Sequence, residues 1–301
     1  MGILDIICPF VLYNRGNMTF LIKSILIVCT VNFVFASSPD KTDDRLVTIG
    51  GSVTDIVFAL GKGDLVVAVD QSSTLPEKVK DLPQAGYVRA ISAEGILSML
   101  PTKILASSDI GPPNVISQLE SSGVEFEIFT SPKSFDDVMN LVDEISVFLD
   151  MKESGIKLKE KLKSDQKIIN KMKKEIIKNP NIAFFMNPSH TGNYNAAGNG
   201  TRADYLIDFI GGTNIFKDSF SRYNKVNKET ILEYNPDVIF VASTGSSESS
   251  TSVFLNDATF KNLNAVKNNK IIYLDLGYHL TFGSMFGESA ILALSLVLAD
   301  E

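Results

Sequence analysis

The chain has 301 residues, 45% of them hydrophobic and 21% charged, with a formal net charge of -7. This composition excludes a disordered chain and leaves enough length for two lobes with cores of their own. The acidic balance, with no long basic run outside one central helix, argues against a nucleic-acid partner.

Met18 to Ala36 (MTFLIKSILIVCTVNFVFA) places Lys23 ahead of an apolar run from Ser24 to Phe35. It closes on Val34-Phe35-Ala36, a small-residue cleavage pattern. Residues 1–36 therefore read as a cleavable secretory signal peptide, with 1–17 either an extension of it or a segment upstream of a start at Met18. The apolar run is short for a membrane span, and Ser37 to Asp44 beyond it is polar. Cys8 and Cys29 both precede the cut, so the mature chain is expected to hold no disulfide or thiolate metal site. Val28 is larger than the residue that lipoprotein processing at Cys29 would want. The expected product is an acidic, soluble, exported protein.

From Arg45 onward short apolar runs alternate with helical patterns. LVTIGG (Leu46 to Gly51) reads as a strand, with Ser52 as N-cap of a helix through Val53, Ile56, Val57 and Leu60 that stops at Gly61 and Gly63. Strands follow at Leu65 to Asp70, Lys103 to Ser107 and Val124 to Thr130, with helices at Ala93 to Met99, Asn114 to Ser121 and Ser134 to Leu149. That alternation predicts a parallel sheet. Lys152 to Lys178 then contains no proline and carries Leu158, Leu162, Ile169, Met172 and Ile176 as one apolar stripe among lysines. A helix of that length spans about 39 Å and can join two lobes.

After Asn179-Pro180 the pattern restarts. A strand at Ile182 to Met186 leads into a polar loop, Asn187 to Gly200, and a helix from Arg202 to Ile210 capped by Thr201. A helix at Lys228 to Tyr234, a strand at Val238 to Ala242, a serine-rich loop from Ser243 to Ser252, a strand at Lys270 to Asp275 and a helix from Glu288 to Asp300 complete it. The expected architecture is α/β: two Rossmann-like lobes (45–150 and 180–301) with central parallel sheets, joined by a spacer helix over 151–179. Ser92 to Ser107 aligns without a gap on Asn227 to Ala242, matching Glu94 to Glu229, Ile96 to Ile231, Leu97 to Leu232 and Pro101 to Pro236. A helix, a proline stop and a buried strand occur twice, and each lobe should offer its strand ends to a shared cleft.

Two α/β lobes, a spacer helix, a signal peptide and this repeated unit resemble the substrate-binding proteins of bacterial metal-chelate ABC importers. RLVTIGGSVTDIVFALGKGDLVVAVD, LPQAGYVRAISAEGILSMLPTKILAS and AAGNGTRADYLIDFIGGTNIF resemble the periplasmic haem-binding members more narrowly. The resemblance implies that Tyr87, in Gly86-Tyr87-Val88-Arg89, is the axial ligand of the haem iron. Haem outside the cytoplasm is mostly ferric, and a phenolate is a hard anionic donor that suits it. If Tyr87 to Arg89 is extended, Arg89 faces the same way and can reach the phenolate or a propionate.

For a second axial ligand, the mature chain offers His190 and, as the alternative, His279, both in expected loops; Tyr194 and Tyr278 are weaker candidates. Asn199 and Arg202, at the start of a helix whose N–H groups favour anions, are expected to hold propionates. The resemblance further implies that Glu94 and Glu229, one on each lobe, meet basic residues of the membrane permease, although both also suit the positive end of a helix dipole. A cobalamin or ferric-siderophore binder of the same transporter class is the alternative. An exported hydrolase is weaker, since the chain has no Gly-x-Ser-x-Gly elbow, His-Glu-x-x-His pair or Walker loop. No enzymatic activity is expected. Mass spectrometry of the exported protein should find cleavage after Ala36 and no cysteine; a lipid on Cys29 or retention of residues 1–36 would contradict this reading.

Overall fold

A computed structural model describes residues 44–243 and 246–299. The signal-peptide segment, 1–36, lies outside the described residues. The first sheet is all parallel, in the order β2-β1-β5-β6, with β1 at Leu46–Ile49, β2 at Val66–Val69, β5 at Lys103–Ser107 and β6 at Glu125–Phe129. The run LVTI of β1, buried on both faces, suits the middle of such a sheet. Around it lie α1 (Gly51–Ala59), α2 (Ala93–Leu97), α3 (Pro113–Glu120) and α4 (Phe135–Phe148). A short hairpin, β3 (Gly86–Tyr87) with β4 (Ala90–Ile91), stands apart from the sheet.

The connecting helix α5 covers Lys152–Met172 and is followed by a 3-10 turn, Lys173–Glu175. It is therefore shorter than the stripe predicted, because Ile176 is already extended. Gly155, Leu158, Leu162, Asp165 and Ile169 form its buried face.

The second sheet runs β10-β8-β7-β11-β12, where β7 is Asn181–Ser189, β8 Asn193–Ala197, β10 Tyr223–Val226, β11 Val238–Ser243 and β12 Ile271–Asp275, and β9 (Thr213–Asn214) also pairs with β7. It is mixed: β7, β11 and β12 are parallel, while β8 and β10 are antiparallel additions. The expected polar loop at 187–200 is thus largely strand. Its alternating residues Tyr194 and Ala196 bury against Phe185 and Phe216, a period of two that was hidden by the Asn and Gly around it. The remaining helices are α6 (Arg202–Phe209), α7 (Lys228–Tyr234), α8 (Ser247–Leu255), α9 (Asn264–Lys267), α10 (Leu276–Leu280) and α11 (Phe286–Leu298). The serine-rich stretch forms α8 because Ser246 caps it, accepting from Ser249 N, while the Ser250 and Thr251 hydroxyls donate to carbonyls four residues back. Ser52, expected as an N-cap, lies inside α1 and instead donates to Thr281 O.

Each sheet has an apolar layer of its own on one face: Val47, Ile49, Ile104 and Ile96 in the first lobe, and Phe185, Val241, Phe254 and Phe260 in the second. The opposite faces share one core. It runs from Leu46 and Leu105 through Val138 and Ile145 of α4, Leu158, Leu162 and Ile169 of α5, and Phe286, Ala290 and Leu294 of α11 to Phe184 and Phe240. Two glycines permit the close packing at its centre. A Cβ on Gly155 would lie 2.6 Å from Ser146 Cβ of α4, and one on Gly287 would lie 2.5 Å from Asp165 Cβ of α5.

A buried carboxylate ties the first lobe to the start of α11. Asp55, in α1, accepts from Ser284 Oγ at 2.9 Å and also from the Ser284 backbone N–H. Burial raises its pKa from 3.8 to about 6, against the pull of the Ser284 hydrogen bonds. Between those values the folded state keeps a proton that the unfolded chain has released, so stability falls as pH rises through the window. The full effect is about 3 kcal/mol. The melting temperature of the wild type should therefore fall, relative to that of Asp55→Asn, as pH rises from 4 to 6.5; parallel curves would exclude the shift.

Candidate functional site

The cleft lies where the topology places it, beyond the carboxyl ends of the strands, and encloses about 640 Å³. From the first lobe it is lined by Gly51 after β1, Gln71, Ser72 and Thr74 after β2, Ser108 and Asp109 after β5, and Thr130, Ser131 and Lys133 after β6, with Tyr87 and Arg89 from the hairpin. From the second come Met186 of β7, Gly200 and Arg202 at the start of α6, Tyr223 of β10, and Leu276, Gly277, Leu280 and Thr281 in and after α10.

The floor on the first side is held by Asp70. Its buried carboxylate accepts from Gly50 N at 2.7 Å, Ser72 N at 2.8 Å and Ser73 Oγ at 2.7 Å, which fixes the exits of β1 and β2 against each other. Gly50 must be glycine: its φ is +101° and a Cβ there would meet Ser107 Cβ at 2.5 Å.

Tyr87 is 49% exposed, a large fraction for an aromatic side chain lining a concave surface. Gly86, at φ +104°, turns the chain into the hairpin, and its carbonyl accepts from Gln71 N at 2.9 Å, so the ring is carried on a braced backbone. The segment is not extended as far as Arg89, because Val88 and Arg89 form the two-residue turn between β3 and β4. Arg89 nonetheless lines the cleft, with Nη2 3.5 Å from Asp109 Oδ1.

Arg202 is placed differently from the propionate clamp expected of it. Its Nε donates to Pro132 O at 3.0 Å, Nη1 to Leu280 O at 2.9 Å and Nη2 to Ser131 Oγ at 2.8 Å. Two of its five N–H groups therefore hold the two walls together, a third ties it to Leu280 within its own lobe, and two are left for a ligand. Burial pulls its pKa down while Asp109 opposes the shift. Tyr223 beside it is pushed up strongly by burial, with Arg202 drawing it partly back, so its phenol stays protonated.

The histidines are not in the cleft wall. His190 sits in the turn between β7 and β8 with Nε2 3.1 Å from Ser252 Oγ of α8, because the expected loop is a hairpin that carries it past the cleft. His279 lies in α10, not a loop, and is buried; its Nδ1 is 3.1 Å from Asp275 O, and Nε2 has no partner among the described residues. Burial lowers its pKa and keeps the ring neutral. Residues 276, 277, 280 and 281 face the cleft, which turns positions 278 and 279 away from it. Tyr194 is 2% exposed among Phe185, Phe254 and Phe260. Asn199 is exposed and does not line the cleft; its backbone pairs with Phe220 and Arg222 instead. Lys133, Asp109, Met186 and Tyr223, which sequence reasoning did not single out, are in the wall. For Lys133, Asp109 and Met186 the only signal was position, near the end of an expected strand or in the loop after one; Tyr223 opens β10, a strand the sequence pattern did not announce.

Glu94 and Glu229 occupy matching places away from the cleft. Each is exposed in the first turn of a short helix, α2 capped by Ser92 and α7 capped by Asn227.

A family model described as periplasmic binding protein matches residues 46–276. The chain is similar in structure to the periplasmic heme-binding protein RhuT from Roseiflexus sp. RS-1 in apo form, with 30% identity and a TM-score of 0.76, covering 84% of this chain and 98% of that one. It is also similar to the periplasmic heme-binding protein HutB of Vibrio cholerae, with 27% identity and a TM-score of 0.73, covering 85% and 99%. In sequence it is 24% identical to the vitamin B12-binding protein of Yersinia pestis (strain Pestoides F) over 216 residues, 72% of this chain and 75% of the relative.

Proposed function

The chain belongs to the periplasmic binding protein family, the ligand-carrying, non-enzymatic component of ABC importers, and we propose that its ligand is haem, bound in the cleft and handed to the importer's membrane permease. The observation that carries this reading is a half-exposed tyrosine in a cationic cleft. Arg89, Lys133 and Arg202 line the cleft and, among the described residues, Asp109 is the one acidic residue lining it. A phenolate on ferric iron and basic groups for two propionates match haem, whereas the amide-bearing corrin of cobalamin offers no carboxylate for those charges. Tyr87 is the axial ligand, and the ferric centre displaces the phenol's proton. Arg89 and Lys133, together with the unengaged N–H groups of Arg202, serve the propionates.

His190, His279 and Asn199 are not carried forward as ligand contacts, because none of them lines the cleft. The signal peptide and a periplasmic location fit a monomer that meets its ligand outside the cytoplasm. Glu94 and Glu229 are the proposed docking pair, one for each lobe. Cobalamin is the second reading, favoured by the vitamin B12-binding sequence relatives.

Titration of the mature protein with ferric haem, cobalamin and a ferric siderophore should give a saturable spectral change with haem alone. Tyr87→Phe keeps the ring and removes the only atom of that side chain able to bind iron. It should abolish the iron-phenolate charge-transfer absorption and weaken haem binding by about tenfold or more, roughly 1.4 kcal/mol. A variant with unchanged spectrum and affinity refutes ligation by Tyr87, and tight cobalamin binding with no haem response favours the second reading. Charge reversal at both Glu94 and Glu229 should leave haem affinity intact and impair import into proteoliposomes that carry the importer. Normal import by that double variant would remove the docking role.

A further inference from the structure

The two copies of the repeated unit differ at one backbone-critical position. Both α2 and α7 are followed by a residue in the left-handed region immediately before a proline: Leu100 with φ 52° and Asn235 with φ 41°. Asparagine is an ordinary occupant of that region; leucine is not, because its Cβ crowds the neighbouring carbonyl.

A leucine can be kept there if its burial offsets the strain, as at Phe282, which also has positive φ but is buried with its ring 4.2 Å from that of Phe286. Leu100 has no such compensation. It is 74% exposed, the largest value for a bulky apolar residue of the first lobe. Its backbone is held firmly all the same: Arg45 donates from Nε to Leu100 O at 3.0 Å and from Nη2 to Met99 O at 2.6 Å. Those bonds reach main-chain oxygens and would serve any residue at position 100. The side chain itself therefore works against the fold and is presented rigidly to the outside. Asn235 is also exposed, but its polar side chain is engaged within the lobe, its Oδ1 accepting from Asn264 N at 2.9 Å.

We propose that Leu100 is an apolar anchor that inserts into the importer's permease beside the Glu94 contact, so that the two docking faces are chemically unequal. This rests on the docking reading of Glu94 and Glu229. Leu100 follows Glu94 by six residues, just beyond the end of the same short helix, so one partner surface can take both. The partner chemistry is a basic group for Glu94 next to an apolar socket for Leu100. At the second lobe the corresponding surface has the acid and a polar, internally bonded asparagine. The inequality gives the complex an orientation that two matching glutamates alone do not supply.

The test is Leu100→Asn, which installs the second copy's residue. It should raise the melting temperature by about 2–4 °C as the strain is relieved, leave haem affinity unchanged, and raise the KM of the haem-loaded protein in proteoliposome import by about fivefold or more. A lower melting temperature would show that Leu100 supports the fold, and an unchanged KM would show that it touches no partner; either overturns the proposal. The variant with Glu94 and Glu229 both reversed is measured in parallel. Import impaired there but intact in Leu100→Asn overturns the leucine anchor alone. Import intact in the charge-reversed protein overturns the docking reading and the anchor with it.

Discussion

The geometry of the cleft depends on one apolar core that passes without interruption from one sheet to the other. Leu46 and Leu105 belong to it at one end, Phe184 and Phe240 at the other, and α4, α5 and α11 carry it across. Opening the lobes as rigid halves would expose part of that core, at about 25 cal/mol for each Å² of apolar surface uncovered. It would also strip the buried Asp55 carboxylate of its Ser284 donors and break the Arg202 bonds to Pro132 and Ser131. These costs act in the same direction, and they favour a cleft whose walls are fixed before a ligand arrives.

Within that frame the cleft is a product of topology, with its chemistry supplied by loops. Parallel strands bring their carboxyl ends to one edge of each sheet, and the segments that follow need only a few residues to reach the opposite wall. Asp70 shows how such a loop is made rigid: one buried carboxylate collects donors from Gly50, Ser72 and Ser73. Arg202 does comparable work between the walls, and for that reason only part of its guanidinium is left for binding. Its burial tolerates the charge because three carbonyl or hydroxyl oxygens and Asp109 stand around it.

Much of this was legible in the residues. The strands at Leu46, Lys103, Val238 and Lys270, the cap at Thr201 and the paired helices at Ala93 and Lys228 follow from apolar runs and capping chemistry. Their counterparts stand within a residue or two of where the sequence puts them. Tyr87, Arg89 and Arg202 do line the cleft. The β7–β8 hairpin was not legible, because Asn187, Gly192 and Gly198 punctuate it like a loop and strand pairing is a long-range property. His190 was misplaced with it. His279 was misplaced for a different reason: α10 is five residues long, too short to show a period, and which of its faces meets the cleft is set by packing. Lys133 and Tyr223 carry no local signal, since their role comes only from the opposite wall.

A rigid cleft raises the question of how the ligand leaves. A partner can shift an equilibrium only by the difference between its affinities for the two states, and here whole-lobe opening is opposed by the shared core. The elements that can yield at lower cost are those outside the sheets: the β3–β4 hairpin with Tyr87 and Arg89, and the five-residue helix α10 with Leu276 and Leu280. The hairpin is joined to its lobe by few backbone hydrogen bonds, among them Gln71 N to Gly86 O and Gly111 N to Val88 O, and by the buried side chains of Val88 and Ile91, a smaller attachment than the shared core. β4 leads directly through Ser92 into α2, the helix that bears Glu94. The proposed docking face and the proposed iron ligand are therefore separated by six residues of chain, and a displacement of α2 on the permease would reach Tyr87 without bending α5 or dividing the core.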